Sequence, residues 1–388
     1  MFPNSGNSQS DPVVPGPRRA HGSSRKVSFM GQFSVSCGGT GGHVFPGVAT
    51  AMALRSRGHD VTLWMSGKAI ETATRHAWDG PVEHIGAEGF SSRPLKLPRT
   101  LFTLLRTYQT SRRALRAQNP QALLAMGSYS SLGPVLAAWS LKIPVVLHEA
   151  NVIPGRAVVA LSRLAEAIAI SFPETRAYLT HRRIELTGLP LRKQMEDAAM
   201  AIPDKPESPL IVLTMGGSQG AQRLNEIVPI ALGRLKADGI QVAAIHLSGE
   251  KAKASVEDAY RAAGVPATVL GFCTDMVSVY RQTNLAIARS GANSCLELAL
   301  FGIPSILVPY PHSARDHQLA NAQAMAAAGA AVVLEQTDLT AERLDHVIRS
   351  CALQPGALAN TRQAARHRAM TGADQHLADL IEQVAARR

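Results

Sequence analysis

The chain has 388 residues, of which 46% are hydrophobic and 18% are charged, and its formal net charge is +11. This length predicts two domains, because a single core stops growing at about 250–300 residues. A basic balance suits a nucleic acid, an anionic membrane or a phosphorylated substrate. Aromatic residues make up only 5% and show no RNA-binding pattern, which argues against nucleic acid as a partner.

The four cysteines are scattered without a C-x-x-C pair, which indicates reduced thiols rather than disulfides or a zinc site. Residues 1–25 are rich in Pro, Gly and Ser and lack the apolar segment of a signal peptide. We interpret them as a disordered extension. No uncharged apolar run reaches the roughly 18 residues that suggest a membrane-spanning helix. The protein is therefore expected to be soluble or peripheral to a membrane.

Two copies of one pattern follow: a strand, a glycine-rich turn, a helix and a second strand. The first copy reads FSVSC, GGTGGHVFPG, a helix that Gly58 closes, and the strand HDVTLW. The second begins at PLIVLTMGGSQGAQ. These units predict an α/β fold of two Rossmann-like, doubly wound domains with a cleft between them. We place the domains at residues 26–186 and 187–353, with TGLPLR as the crossover and a helical tail at 354–388.

The first glycine loop matches neither common nucleotide-binding pattern. It lacks the G-x-G-x-x-G register and an acid after the second strand, which disfavours an NAD oxidoreductase, and no Gly-Lys-Ser/Thr follows it. What remains is a set of backbone amides at a helix N-terminus, which is a general anion site. A tight turn that only lets the helix and strand pack is the alternative. The second loop adds a hydroxyl and an amide in GGSQG, which favours the anion site.

A third polar stretch, RSGANSCLELALFG, begins at residue 289. We predict a polar turn over 289–294 and a helix over 295–301, with Glu297 in its early turn. A carboxylate there would either cap the helix or bind sugar hydroxyls, and the helix N-terminus could hold a phosphate.

Together, GGTGGHVFPG, HEAN, GGSQGA, RSGA…E and DHQ…NA run in this order from about residue 34 to 331. In this combination they resemble the MurG family of bacterial cell-wall N-acetylglucosamine (GlcNAc) transferases. The resemblance implies the GT-B fold and an inverting transfer of GlcNAc from UDP-GlcNAc to the MurNAc 4-hydroxyl of lipid I. The product would be lipid II, used in peptidoglycan synthesis.

The resemblance also implies where the protein works and with what. It predicts a peripheral protein on the cytoplasmic face of the bacterial cell membrane, in contact with its anionic surface. The cell-wall and division machinery would be further partners. No cofactor and no metal ligand in the protein are expected.

Substrate contacts follow from the resemblance as well. Glu297 would hold the ribose hydroxyls of the donor, and Gln318 with Asn321 its sugar. The full set of predicted donor contacts is Thr40, Gly41, Gly42, Asn151, Arg192, Ser218, Cys273, Ala292, Asn293, Ser294, Cys295, Leu296, Glu297, Gln318 and Asn321. The acceptor diphosphate would face two loops, through Gly38, Gly39, Ser128, Tyr129 and Ser131. The second of these loops reads GSYSSLGP, where the family pattern is GGYVSGP.

The reaction needs a base for the hydroxyl proton and a stabiliser for the departing diphosphate. His43 is our candidate base, because it ends the glycine loop and a histidine suits neutral pH. The alternative is that it only binds the acceptor or caps the helix. Glu149 of HEAN is the rival base, while His148 is expected to be a buried, hydrogen-bonded histidine. Helix N-terminal amides and Arg192 would stabilise the diphosphate.

A basic and apolar segment spans residues 93–117. We predict a membrane-facing surface made of Leu95, Leu97, Arg99, Phe102, Arg106 and Trp139, because basic residues are attracted to an anionic leaflet. The same segment carries one helical stripe, which predicts that it also packs against the core. That stripe consists of Leu101, Leu104, Leu105, Tyr108 and Leu115.

Two other functions remain open from the sequence. One is another GT-B enzyme, such as a diacylglycerol glycosyltransferase or a UDP-GlcNAc epimerase, although we identify no acidic catalytic residues for the epimerase. The other is a non-catalytic nucleotide-sugar-binding scaffold, against which the presence of both His43 and Glu297 argues.

Overall fold

The structure is a computed structural model that describes residues 30–39, 41–67, 78–85, 97–201, 208–217 and 220–387, with the backbone alone at 97–99. The predicted extension at residues 1–25 lies outside the described residues. Within them the chain forms two parallel sheets, each flanked by helices.

The N-terminal sheet has seven parallel strands in the described part of the chain. They are β1 (Gln32–Ser36), β2 (Asp60–Met65), β3 (Val82–His84), β4 (Ala122–Ala125), β5 (Val145–Glu149), β6 (Ala167–Ile170) and β7 (Ile184–Leu186). Their order is β3-β2-β1-β4-β5-β6-β7. The central strands are apolar runs because helices cover both faces of a parallel sheet. The covering helices are α1 (Gly41–Ser56), α2 (Leu97–Gln118), α3 (Leu132–Ser140) and α4 (Arg156–Leu161).

The second sheet has six parallel strands among the described residues. They are β8 (Leu210–Met215), β9 (Val242–Leu247), β10 (Ala267–Leu270), β11 (Leu285–Ala288), β12 (Ser305–Leu307) and β13 (Ala331–Val333). The order β10-β9-β8-β11-β12-β13 is that of a doubly wound Rossmann sheet. The prediction of two Rossmann-like domains is therefore confirmed.

The remaining helices follow the crossover. They are α5 (Lys193–Met200), α6 (Gln222–Ala237), α7 (Lys253–Ala262), α8 (Met276–Gln282), α9 (Ala292–Leu300), α10 (His317–Ala327), α11 (Ala341–Ala352), α12 (Ala357–Arg368) and α13 (Ala373–Ala385). Beyond residue 353 the described chain forms two helices, α12 and α13. These two helices divide between the domains: Leu358 of α12 packs in the C-terminal core, whereas Leu377 and Ile381 of α13 pack in the N-terminal core.

The domains also share apolar packing. Val152 and Phe172 of the N-terminal half lie in one buried cluster with Leu191 of the crossover and Leu296 of α9. At this junction the loop after β5 approaches the turn after β11, because Asn321 hydrogen-bonds to Asn151 and Val152 on one side and to Ser290 on the other.

The stripe predicted on α2 is only partly correct. Leu115 is fully buried, but Leu101 and Leu105 are 68% and 52% exposed. The core-facing side of the helix instead carries the small residues Thr107 and Ser111. A Cβ added at Gly133 of α3 would lie 2.5 Å from Thr107 Cγ2, so α2 and α3 cross too closely for leucine at that contact.

Candidate active site

The two predicted acceptor loops pack against each other at the carboxyl edge of the first sheet. Ser36, Trp64 and Ala125 are aligned in register, so the loops after β1, β2 and β4 leave the sheet together. Ser130 Oγ donates a hydrogen bond to the carbonyl oxygen of Gly38 at 2.8 Å. A Cβ added at Gly39, where φ is +128°, would lie 2.8 Å from Ser128 Oγ. These two glycines therefore admit the neighbouring loop.

Helix α1 begins at Gly41, which places His43 in its first turn rather than in the preceding loop. Its imidazole is partly exposed and lies between the two loops. A Cβ added at Gly127 would be 3.6 Å from His43 Nε2, and one at Gly39 would be 3.9 Å from Nδ1. The candidate base thus stands beside both predicted acceptor loops.

His148 is 1% exposed at the end of β5. Its Nε2 lies 3.2 Å from Ser171 Oγ and 3.3 Å from the carbonyl oxygen of Gly188. Burial lowers the pKa of His148 to about 4, so the ring is neutral at physiological pH. This is the buried, hydrogen-bonded histidine that we expected.

Glu149, the rival base, is 4% exposed and organises a loop. Its Oε1 accepts from the backbone and side-chain nitrogens of Asn151, at 2.9 and 3.1 Å. Its Oε2 accepts from the backbone nitrogen of Gly155 at 2.8 Å. Burial raises the pKa of Glu149, and these donors oppose that shift. A carboxylate committed to three loop donors favours a loop-ordering role over proton transfer.

On the donor side, Glu297 lies in the second turn of α9, whose N-cap is Gly291. The alternative that Glu297 caps the helix is therefore wrong. The helix starts at Ala292, three residues earlier than predicted, so residues 292–294 contribute the free amides of its first turn. Burial raises the pKa of Glu297, while the hydroxyl of Tyr280 and the charge of Arg192 lower it.

Arg192 reaches across the domain junction. It is the N-cap residue of α5, and its guanidinium lies over the ring of Phe45 in α1, 5.5 Å from the centroid. Its charge also lowers the pKa of Glu297 and that of Tyr280. Cys273 is close enough to Tyr280 to raise the pKa of that residue. Residues from three separate segments that were predicted to hold the donor therefore converge.

Gln318 lies at the start of α10, and one atom of its side chain is already engaged in a hydrogen bond within the protein. Its Oε1 accepts from the backbone nitrogen of Tyr310 at 3.0 Å, and its carbonyl oxygen accepts from Ser290 Oγ at 2.8 Å. These bonds tie the loop after β12 to the turn before α9.

The structure gives Asn321 a different role from the predicted sugar contact. Asn321 is 0% exposed, and its Oδ1 accepts from the backbone nitrogen of Val152 at 2.9 Å. Its Nδ2 donates to Asn151 Oδ1 and to the carbonyl oxygen of Ser290. Both amide atoms are thus consumed in joining the two domains, because α10 packs directly against the loop that follows β5.

The second glycine loop also has steric reasons for its composition. A Cβ added at Gly220 would lie 2.0 Å from the carbonyl oxygen of Ser248, and one at Gly216 would overlap Ala221. By contrast, Gly217 has φ +90° and an added Cβ would meet nothing within 4 Å, so its backbone faces open space.

Two stretches of the chain match the domains of one enzyme family. Residues 33–170 match the Glycosyltransferase family 28 N-terminal domain, and residues 211–383 match the Glycosyltransferase family 28 C-terminal domain. A crystal structure of Acinetobacter baumannii MurG superposes with a TM-score of 0.76 at 29% identity, over 91% of this chain and 99% of that chain. The chain is also 38% identical, over 357 residues, to the UDP-N-acetylglucosamine--N-acetylmuramyl-(pentapeptide) pyrophosphoryl-undecaprenol N-acetylglucosamine transferase of Cupriavidus necator, covering 90% of this chain and 97% of that protein. The chain belongs to the MurG family.

Membership of the MurG family confirms the predicted GT-B fold and the predicted glycosyltransferase class. A second relative with the same enzyme name, from Rhodospirillum centenum, is 37% identical and covers 91% of this chain and 94% of its own length. A UDP-N-acetylglucosamine 2-epimerase structure from Listeria monocytogenes superposes with a TM-score of 0.68 at 11% identity, which shows a shared fold alone.

Three of the predicted residues lie outside the described residues, namely Thr40, Leu95 and Ser218. At Leu97 and Arg99 the side chains are not described. Among the predicted acceptor-loop residues, Tyr129 is 44% exposed, whereas Ser131 is buried and donates to the carbonyl oxygen of Gly127. Ser131 thus shapes its loop from within.

Tyr280 is the functional-site residue that sequence reasoning missed. It lies in α8, seventeen positions from Glu297, and its hydroxyl donates to Glu297 Oε2 at 2.8 Å. In the sequence it is one apolar position of a short helix, with no pattern that links it to a carboxylate. Only the packing of α8 against α9 makes the pair visible.

Proposed function

We propose that this protein transfers GlcNAc from UDP-GlcNAc to the MurNAc 4-hydroxyl of lipid I, with inversion, and so forms lipid II for peptidoglycan synthesis. The observation that carries the proposal is the match along nearly the full length of relatives that bear this enzyme name. The convergence of predicted donor residues at the domain junction supports it independently.

The donor would lie against the C-terminal domain. Glu297 would accept hydrogen bonds from the ribose, and the first-turn amides of α9 would face the diphosphate, because free N–H groups and the helix dipole favour an anion there. Arg192 is exposed and carries the positive charge that a leaving diphosphate needs. The side chain of Gln318 would contact the sugar.

The acceptor would lie against the two loops of the N-terminal domain. Its 4-hydroxyl attacks the anomeric carbon of GlcNAc as the bond from that carbon to the phosphate oxygen breaks. The hydroxyl proton passes to His43, and UDP leaves with the bonding electrons. The partly exposed position of His43 between Gly39 and Gly127 supports this role, and the commitment of Glu149 to loop donors weighs against the rival base.

The direct test is transfer of radiolabelled GlcNAc from UDP-GlcNAc to a lipid I analogue. Wild type should transfer, and His43→Ala should lower kcat by about 10²–10⁴-fold, the usual contribution of a general base. His376→Ala, which removes an exposed histidine on α13, is the matched control and should keep full activity. An unaffected His43→Ala enzyme would remove His43 as the base. Absence of transfer by wild type would overturn the function.

We also propose that the outer side of α2 and α3 contacts the membrane that holds lipid I. Leu101, Phe102 and Trp139 are 68%, 66% and 58% exposed, and Arg106 is exposed beside them. None of the helices that the structure describes has the length and apolar character needed to cross a bilayer. Binding through this surface would keep the enzyme peripheral, on the cytoplasmic face of the cell membrane. The cell-wall and division machinery would be reached there.

A further inference from the structure

Tyr280 is a buried phenol whose hydroxyl points towards the carboxylate of Glu297. The residue is 0% exposed, and its ring packs on Phe301 with the centroids 4.9 Å apart. Its hydroxyl donates to Glu297 Oε2 at 2.8 Å and lies 3.9 Å from the sulfur of Met215. Because burial and the nearby charge of Glu297 raise the pKa of Tyr280 well above its ordinary value, the hydroxyl stays a donor.

Glu297 is less enclosed than its partner. The side chain is partly buried, and among the described residues Tyr280 is the hydrogen-bond donor to Oε2, while Oε1 has none. A carboxylate offers about four lone-pair positions over its two oxygens. The bond from Tyr280 occupies one of them and restrains the rotation of the group. The remaining positions can accept from a ligand at the cleft.

The surroundings of this pair match a nucleoside diphosphate. Arg192 supplies a positive charge close enough to lower the pKa of Glu297, and Cys273 lies close enough to affect that of Tyr280. The first turn of α9, with its free amides, precedes Glu297 by one turn on the same helix. Two adjacent hydroxyls of a ribose are the neutral donors that a fixed, ionised carboxylate best accepts from.

From this geometry we infer that Tyr280 is a positioning residue: it holds the Glu297 carboxylate in the one orientation that accepts both ribose hydroxyls, and so gives the site its preference for ribonucleotide over deoxyribonucleotide donors. The inference rests on the proposed function, since it assumes a nucleotide donor at Glu297. It goes further by assigning the selection of the ribose to a residue that touches no substrate.

The test is calorimetric binding of UDP, 2′-deoxy-UDP and 3′-deoxy-UDP, which needs no acceptor. Wild type should bind UDP at least about tenfold more tightly than either deoxynucleotide, because a hydrogen bond to a charged group contributes about that factor. Tyr280→Phe keeps the ring that packs on Phe301 and removes only the donor. We expect it to weaken UDP binding about tenfold and to shrink the ribose preference to less than about threefold.

The matched control is Tyr260→Phe, which removes another buried hydroxyl of the same domain, one that pairs with His246. It should leave the ribose preference at the wild-type value even if it lowers the unfolding temperature. Glu297→Gln should abolish the preference, and adding Tyr280→Phe to it should change nothing more. If Tyr280→Phe fails to fold, Tyr280→Leu, which is smaller and has no hydrogen-bond donor, provides the same comparison.

The outcomes separate the inference from the proposed function. A ribose preference that survives in Tyr280→Phe but is lost in Glu297→Gln would overturn the role of Tyr280 and leave the donor site intact. A wild type without any ribose preference would overturn the inference and the role of Glu297 together. Loss of GlcNAc transfer is measured separately with the lipid I analogue, so failure of the function is recognised even when nucleotide binding behaves as expected.

Discussion

At the residue scale, Ser128 adopts a conformation that favours glycine. Its φ is 70° and its ψ is 157°, a region in which a side chain costs about 1–3 kcal/mol. The loop GSYSSLGP carries serine at the place where the family pattern GGYVSGP has its second glycine, so the altered position and the strained position coincide. The serine hydroxyl lies against Gly39, where only the absence of a Cβ makes room for it.

Ser128→Gly should stabilise the protein by about 1 kcal/mol, because the relief of strain exceeds the added backbone entropy of the unfolded chain. The measurement is the midpoint of urea unfolding. Ser128→Ala is the matched control, since it removes the hydroxyl but keeps a Cβ at positive φ, and it should show no gain. Equal stability of the two variants would contradict the strain.

His148 and Glu149 are adjacent in the HEAN motif, but the structure gives their side chains different partners. Both precede the same loop, yet the ring of His148 contacts Gly188 and Ser171, whereas the carboxylate of Glu149 accepts from Asn151 and Gly155. The polarity of HEAN was readable in the sequence. The commitment of each side chain to a partner was not, because hydrogen-bond geometry depends on the folded loop.

At the element scale, α2 has one side packed against the core and another, apolar side that is exposed. Thr107, Ser111 and Leu115 face α3 and the sheet, whereas Leu101, Phe102 and Leu105 remain in solvent. Helical periodicity alone assigned Leu101 and Leu105 to the core, since it detects a stripe but not what covers it. The close crossing at Gly133 decided that the small residues face inward.

Replacing Phe102 and Arg106 together by serine should weaken binding to vesicles that contain anionic lipid by at least about tenfold. Arg106 contributes about fivefold near an anionic surface, and Phe102 adds its apolar area. Vesicle sedimentation measures the change, and turnover of a short-chain, soluble acceptor should be unaffected. Ile230→Ser with Lys251→Ser, an exposed pair on the C-terminal domain, is the control. Equal loss of both activities would refute a membrane role for this surface.

At the scale of the whole molecule, the last described helix of the chain packs on the N-terminal domain. After α12 completes the C-terminal domain, α13 returns to the first domain, where Leu377 and Ile381 are fully buried. An ion pair and a hydrogen bond hold it there: Arg57 Nη1 lies 2.7 Å from Asp379 Oδ1, and His59 Nε2 lies 2.9 Å from Glu382 Oε1. The N-terminal domain is therefore built from both ends of the described chain.

Leu377→Ala should destabilise the N-terminal domain by about 2–5 kcal/mol, the usual effect of a buried leucine truncation. Hydrogen exchange should show faster exchange in α1, β4 and β5, against which α13 packs. Leu358→Ala, the equivalent truncation in α12, should instead speed exchange in β8, because it lies in the C-terminal core. A Leu377→Ala protein that loosens only the C-terminal sheet would contradict this division.

The sequence by itself determined the features that depend on neighbours along the chain. Strand, glycine turn and helix alternate in both halves because backbone conformation and apolar periodicity are local, and the order of the motifs was enough to identify the family and its fold. Only the tertiary structure decided which side chains meet. The bond from Tyr280 to Glu297, the use of Asn321 to join the domains and the return of α13 each connect positions that no local pattern relates. Their physical cause is long-range packing, which fixes the direction of a side chain only after the elements have docked.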